Sequence, residues 1–239
     1  MNLNNKLALV TGASKGIGKA ISIALAKEGV NVILAARNNQ KLIEVKKEIE
    51  ANKGNAQIIP TDLSSQEDIF NLFKKVKKEF GKLDILINNA GIFIGGNLID
   101  FSLDDYEKLM NVNFRAVFLC IQESLKIMIP QKSGFIINIS SNVVFKNYPQ
   151  QAIYSASKSA VVGLTKSLAN EVQKDGICVA LVHPGGVNTD LIDNARPDIN
   201  KSELMPPEDI AKTIIYMLKL SDNSWVDEII IRRRTAKPF

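Results

Sequence analysis

Short apolar runs alternate along the chain with longer stretches whose apolar positions recur every three to four residues. The runs, among them "KLALV", "VNVILAA", "LDILIN", "GFIINIS" and "ICVALVH", predict strands at 6–10, 30–36, 56–60, 83–88, 134–140, 177–183 and 228–232. The periodic stretches predict helices at 16–28, 38–52, 65–80, 102–130, 152–173 and 206–219. Strands that are apolar on nearly every position are buried on both faces, so seven of them alternating with helices predict an α/β domain. The expected architecture is a single doubly wound domain, with a seven-stranded, mainly parallel sheet and helices on both faces. Pro206, Pro207 and Glu208 suit a helix start, and Gly81 and Gly176 suit helix stops. No repeat, linker or low-complexity tract divides the 239 residues, and one core suffices for that length.

The first strand runs into "LVTGASKGIGKA" at the start of the first helix. Gly12 lets the chain turn, Gly16 brings bare backbone close to a ligand, and Gly18 lets helix and strand pack closely. Free amides at the helix start favour a pyrophosphate. After the first strand of an alternating α/β chain this reads as a dinucleotide cradle of the Rossmann type, although the spacing is GxxxGxG. The second strand ends Ala35-Ala36-Arg37, with an arginine where a ribose-binding acid would stand, and Lys15 lies in the glycine loop. Two cations there suit a 2′-phosphate, so NADP(H) is expected over NAD(H). The plain alternative is that both are exposed surface charges.

The segment "IYSASK" sets Tyr154 and Lys158 four apart, on one helix face. An ammonium beside a phenol favours the phenolate, which would make Tyr154 a general acid or base. Taken alone, YxxxK also describes ordinary helix surface. Ser141 lies at the carboxyl end of the fifth strand, the edge where open α/β sheets bind ligands. Asn113 is a lone amide on an apolar helix face, which equally fits a satisfied core asparagine.

The motifs "TGASKGIG", "NNAG" at 88–91, "NVN" at 111–113, "NISS" at 138–141, "YSASK" and "PGGVNT" at 184–189 occur in this order. Over about residues 5–190 the chain resembles the short-chain dehydrogenase/reductase family, most closely its bacterial 3-oxoacyl-[acyl-carrier-protein] reductases. The resemblance implies that Ser141 polarises a substrate carbonyl, Tyr154 delivers the proton, Lys158 lowers its pKa and binds the nicotinamide ribose, and Asn113 holds a water for reprotonation. It further implies cofactor contacts from Gly12, Ser14, Lys15, Gly16, Ile17 and Gly18. Downstream, Arg37, Asp62, Leu63, Asn89, Ala90 and Gly91 would line the adenosine and ribose. Pro184, Gly185, Val187 and Thr189 would meet the nicotinamide end. Homodimers or homotetramers are implied too, and helices 102–130 and 152–173 are apolar on more than one side, as a dimer surface would be.

The net charge of +5 comes from lysines spread among glutamates on helix faces, a solvated surface and not a nucleic-acid stripe. The "RRR" at 232–234 reads first as a charged sheet end, second as an anion or partner site. Cys120 and Cys178 lie in apolar runs and are expected to be reduced thiols; no metal site is expected. Without an apolar leader core or a run long enough to span a bilayer, the expected location is cytoplasmic, with no membrane partner. His183 has no GxSxG elbow to serve, so a structural or supporting role is expected. Asp104 and Asp105 are read as helix-start charges. Phe93, Ile94, Val143, Val144 and segment 190–205 fit an apolar substrate wall; the first four equally fit plain core. Segment 190–205 is expected to be mobile. Arg115 stands where many relatives in the resembled family carry glycine, and the usual terminal "VDGG" is missing.

The leading function is an NADPH-dependent reductase of a ketone, with a 3-oxoacyl thioester as substrate. A carbonyl or sugar/polyol dehydrogenase is the nearest competitor, and a non-catalytic dinucleotide sensor the competitor from another class.

Overall fold

A computed structural model describes residues 2–146, 148–195 and 199–238, apart from the side chain of Asn194. The chain runs β1 (Leu7–Thr11), α1 (Gly16–Lys27), β2 (Asn31–Ala36), α2 (Asn39–Ala51), β3 (Asn55–Pro60), α3 (Gln66–Phe80) and β4 (Ile85–Asn88). It continues with α4 (Leu103–Met110), α5 (Ala116–Gln131), β5 (Gly134–Ile139), α6 (Ala152–Val172), β6 (Ile177–Pro184), α7 (Asp190–Ala195), α8 (Pro207–Lys219) and β7 (Glu228–Ile231). The seven strands form one sheet in the order β3-β2-β1-β4-β5-β6-β7. Every described pairing is parallel.

Alternate strand residues feed two cores. Ala8, Val10, Val32, Leu34, Ile85, Ile87 and Ile137 pack under α1, α2 and α8. Leu7, Leu9, Ile33, Ala35, Leu86 and Ile136 pack under α3, α5 and α6. That two-sided burial is why the strands carry no polar alternation. The strand order reverses between β1 and β4, so the crossovers from these two strands leave to opposite faces and open a crevice at their carboxyl ends.

The helix boundaries obey local chemistry. Ser65 and Ser102 accept N-cap hydrogen bonds from Asp68 N (3.2 Å) and Asp105 N (3.1 Å). Asp104 and Asp105 therefore sit in the first turn of α4 as helix-start charges. One boundary differs from expectation. The single helix expected over 102–130 is interrupted by a π-helical segment, Asn111–Arg115, which swings Asn113 inward. A short helix, α7, also appears inside segment 190–205.

At the opposite, amino-terminal edge of the sheet, Asp84 ties three strands together. Its carboxylate accepts from Leu7 N (2.8 Å) and Lys6 Nζ (3.0 Å), and its carbonyl accepts from Phe135 N (2.9 Å). Burial alone would raise the Asp84 carboxyl, but Leu7 N–H, Lys6 and Lys82 outweigh it and hold the pKa below its ordinary 3.8. This contribution to stability is complete above that value and is lost as pH falls below it. Asp84→Asn should cost about 1–3 kcal/mol at neutral pH. In thermal unfolding the gap between variant and wild type should narrow once pH drops below about 4.

Candidate active site

The glycine loop and the segment after β4 lock together at the switch point. Thr11 Oγ1 accepts from Asn89 N (3.0 Å) and Ala90 N (3.1 Å) and donates to Ile87 O (3.3 Å). Asn89 Nδ2 donates to Thr11 O at 2.9 Å. The packing leaves no room for side chains. Gly12 has φ +65, and a Cβ there would lie 2.9 Å from Ala90 Cα. A Cβ on Gly18 would lie 2.3 Å from Gly12 O. Helix α1 starts with no side-chain cap and no acid in its first turn, so its leading amides and positive dipole end stay available. Ser14 and Gly16 are half-buried beside them, and Ile17 packs against the core beneath. This cradle fits a pyrophosphate.

Of the three charged residues expected on the adenosine side, two lie near one another and one is turned elsewhere. Arg37 follows β2 directly and is exposed, and its charge reaches Asp62. Burial would raise Asp62, but Ser64, through its N–H and hydroxyl, and Arg37 hold it below the ordinary range as an ionised acceptor. Leu63 is buried beside it. Arg115 Nη2 donates to Ser64 O at 2.8 Å and so braces the turn that carries Asp62. The exception is Lys15, whose ammonium is paired with Asp190 at the start of α7.

Asp190 belongs to the opposite wall. Pro184 ends β6, Gly185 N donates to Ile231 O (2.7 Å), and a Cβ on Gly16 would lie 3.0 Å from the Thr189 methyl. Val187 is buried and bridges to Met205 through Asn188 N→Met205 O (2.8 Å) and Met205 N→Gly186 O (3.0 Å). Arg233 pairs with Glu203 at 3.0 Å, and Glu203 also accepts from Thr235 Oγ1 at 2.8 Å. These ties fix the end of segment 190–205 at Glu203 and Met205. Residues 196–198 of that segment lie outside the described residues.

Between the walls lie the residues fit for proton transfer. Ser141 follows β5, and its side chain lies close enough to the Tyr154 hydroxyl to pull its pKa down. One turn further along α6, Lys158 is buried and its Nζ donates to Ile139 O at 3.0 Å. A Cβ on Gly91 would lie 3.4 Å from that Nζ and 3.4 Å from Asn113 Oδ1, so glycine keeps this corner open. Asn113 is fully buried. Its Nδ2 donates to Ile92 O (3.0 Å) and Ser157 Oγ (3.1 Å), and its Oδ1 accepts from Ile92 N (2.9 Å). Ser157 in turn donates to Tyr154 O at 2.7 Å. Thr11, Ser157 and Ile92 were not singled out from sequence. The first two lie inside the quoted motifs and were the legible signal; the role of Ile92 is purely backbone.

Electrostatics in this pocket depart from expectation. The Tyr154 phenol is pushed up to about 12 by burial, with the Ser141 hydrogen bond pulling weakly the other way. Lys158 is pushed down to about 8, also by burial. Both groups sit in a dry pocket that disfavours whichever form is charged, so burial outweighs the lowering of the phenol expected from the ammonium. Phe93 stands edge-on to the Tyr154 ring at 5.2 Å. With Ile94, Val143 and Val144 it forms a small apolar cluster around Tyr154, apart from the two main cores.

Comparison with known proteins agrees with this geometry. The family described as short chain dehydrogenase matches residues 6–200. An uncharacterized oxidoreductase of Staphylococcus aureus (strain MW2) is 36% identical over 230 residues, 96% of this chain and 98% of the relative. One from Staphylococcus saprophyticus is 36% identical over 235 residues, 97% of this chain and 99% of the relative. A metagenomic short-chain oxidoreductase crystallised with NADP superposes with a TM-score of 0.87 at 33% identity, covering 99% of this chain and 100% of that one. An alcohol dehydrogenase from Thermococcus sibiricus, complexed with 5-hydroxy-NADP, gives 0.90 at 27% identity, again over 99% and 100%. With its parallel sheet, glycine cradle and Ser-Tyr-Lys arrangement, the chain belongs to the short-chain dehydrogenase/reductase family of oxidoreductases.

Proposed function

We propose that the protein is an NADPH-dependent reductase that converts a ketone to a secondary alcohol, with a 3-oxoacyl thioester as the preferred substrate. The observation that carries this reading is the state of the proton-transfer pair. The Tyr154 hydroxyl, beside Ser141 and raised to about 12 by burial, keeps its proton throughout the physiological range. A general acid needs its proton, and a base for alcohol oxidation would need to have lost it. Ser141 and Tyr154 together offer two donors to one carbonyl oxygen. As Tyr154 gives up its proton, the Lys158 ammonium stabilises the phenolate left behind. The bound dinucleotide supplies the hydride. Asn113 acts mainly as a brace: both its amide hydrogens are engaged, so a reprotonating water would have to bind its remaining Oδ1 lone pair or its main chain.

Tyr154→Phe should leave cofactor binding nearly intact and cut turnover on the order of 10²-fold or more, read as NADPH oxidation over a panel of 3-oxoacyl thioesters, sugars and simple ketones. Wild-type reductive turnover should hold steady between about pH 7 and 8 and fall above it, as Lys158 loses its charge at about 8. A rate that instead rises through that region would contradict the acid role. Failure to oxidise NADPH with any carbonyl, despite tight binding, would favour a dinucleotide sensor.

The coenzyme preference rests on Arg37 and on the missing carboxylate at the end of β2. Lys15 can assist once it leaves Asp190. Arg37→Asp should reverse the ratio of NADPH to NADH dissociation constants by weakening NADPH at least tenfold, measured by nucleotide fluorescence.

We further assign the outer faces of α5 and α6 to a dimer interface in a reducing cytoplasmic setting, because Phe118 on α5 is 41% exposed. Phe118→Glu should convert a sedimenting dimer into a monomer. A wild-type monomer would remove this assignment.

A further inference from the structure

His183 is the chain's only histidine, fully buried near the end of β6, and no step above uses it. Its Nδ1 lies 3.4 Å from the carbonyl oxygen of Ser141, and its Nε2 lies 2.9 Å from Glu228 Oε1 on β7. The other Glu228 oxygen is paired with Lys166 of α6 at 2.8 Å. Phe145, at the far end of the turn that begins with Ser141, stands edge-on over the imidazole at 4.9 Å. The ring is thus wedged under the turn that carries the carbonyl-polarising serine.

Both neighbours of the ring are acceptors, and a neutral imidazole has one N–H to offer them. Only the imidazolium satisfies both. Among the described residues, His183 Nε2 and Glu228 Oε1 are the buried side-chain atoms without an aligned hydrogen bond, although they lie within ion-pair distance. Such a mismatch next to a site calls for an explanation. We propose that His183 is a positioning residue for Ser141: doubly protonated it holds the serine's carbonyl and the following turn in place, and singly protonated it gives its one hydrogen to Glu228 and releases them. The proposal rests on the reductase reading of Ser141.

The charged groups acting on His183 are Glu228 from β7 and Lys166 from α6; the Ser141–Phe145 turn contributes a carbonyl and an aromatic ring. Burial lowers the imidazole below its ordinary 6.5, Glu228 and the Ser141 carbonyl pull it up, and Lys166 pulls it down, with the net direction downward. The switch therefore operates on the acid side of 6.5, and the released form prevails at neutral pH.

The test uses the full chain, NADPH and ethyl acetoacetate as a soluble 3-oxo ester, with initial rates taken from pH 5 to 8. Wild-type kcat should rise about fivefold as pH falls through the His183 midpoint, the worth of one net hydrogen bond. That midpoint can be read separately from the lone imidazole C2–H proton signal by NMR. His183→Gln keeps an N–H donor but cannot titrate. It should abolish the kinetic step while leaving KM for NADPH unchanged. Glu228→Gln removes the carboxylate that favours the imidazolium and should move both midpoints to lower pH. A kinetic step that survives in His183→Gln, or a wild type that turns over with no step, would overturn the proposal. Should His183→Gln fail to fold, the Glu228→Gln shift decides: coincident movement of both midpoints supports it, and a kinetic midpoint that stays put refutes it. A wild type that oxidises no NADPH defeats the reductase reading instead, and an NMR midpoint unmoved by Glu228→Gln then defeats the His183–Glu228 contact on its own.

Discussion

An ammonium buried in the interior is the constraint around which this site is organised. Lys158 is 5% exposed and has one described hydrogen bond, to Ile139 O. An unpaired buried cation is costly, so its surroundings must be held in place. That bond and the donation from Ser140 Oγ to Lys158 O at 3.3 Å pin α6 to the end of β5. With the axial position of α6 fixed, Tyr154 falls one turn earlier, beside Ser141. Ser157 falls where it can join Tyr154 O to Asn113. Asn113 joins this network from within the π-helical segment Asn111–Arg115.

The two halves of the site are held by different means. The nucleotide half is backbone against backbone: glycine loop, Thr11 hydroxyl and the Asn89–Ala90 amides, with contacts too close for any Cβ at Gly12 or Gly18. Such a surface tolerates little change and suits a ligand of fixed chemistry. The opposite half, from Pro184 to Met205, is tied by side chains and a single bridge, with Arg233 and Thr235 reaching across from beyond β7 to Glu203. Rearrangement there costs less, so substrate choice can vary on that side without disturbing the cradle. The Lys15–Asp190 pair joins the halves across the groove. It also gives an exposed cation in the glycine loop a partner when no phosphate is at hand.

The fold was legible because each of its signals is local. Apolar runs marked all seven strands, and Gly and Pro marked helix ends, since the backbone conformation at those ends depends on residues a few positions apart. Motif residues were legible as types: glycines for close approach, and a tyrosine and a lysine one turn apart. What stayed hidden depends on partners distant in sequence. Arg115 braces Ser64 across 51 residues, Lys15 meets Asp190 across 175, and His183 lies against Ser141 across 42. No spacing rule encodes such pairs, because they exist only once crossovers have brought strand ends together. The π-helical segment was hidden for another reason: nothing in the composition of "NVNFR" marks an i→i+5 hydrogen-bond pattern in advance.

The same dependence on context explains why the electrostatics of the Tyr154–Lys158 pair differ from expectation. A lysine four residues after a tyrosine suggests a lowered phenol when the pair is imagined in water. In the folded chain both groups are dry, and desolvation drives each towards its neutral form, the phenol to about 12 and the ammonium to about 8. A neutral phenol against the Ser141 hydroxyl is a donor, and in a pocket of low dielectric a donor has its greatest effect on negative charge that develops late. Reduction of a carbonyl produces such charge on oxygen; oxidation of an alcohol would first require removing a proton that burial holds in place. The pocket's dryness, more than the lysine's proximity, therefore sets the charge states of this pair.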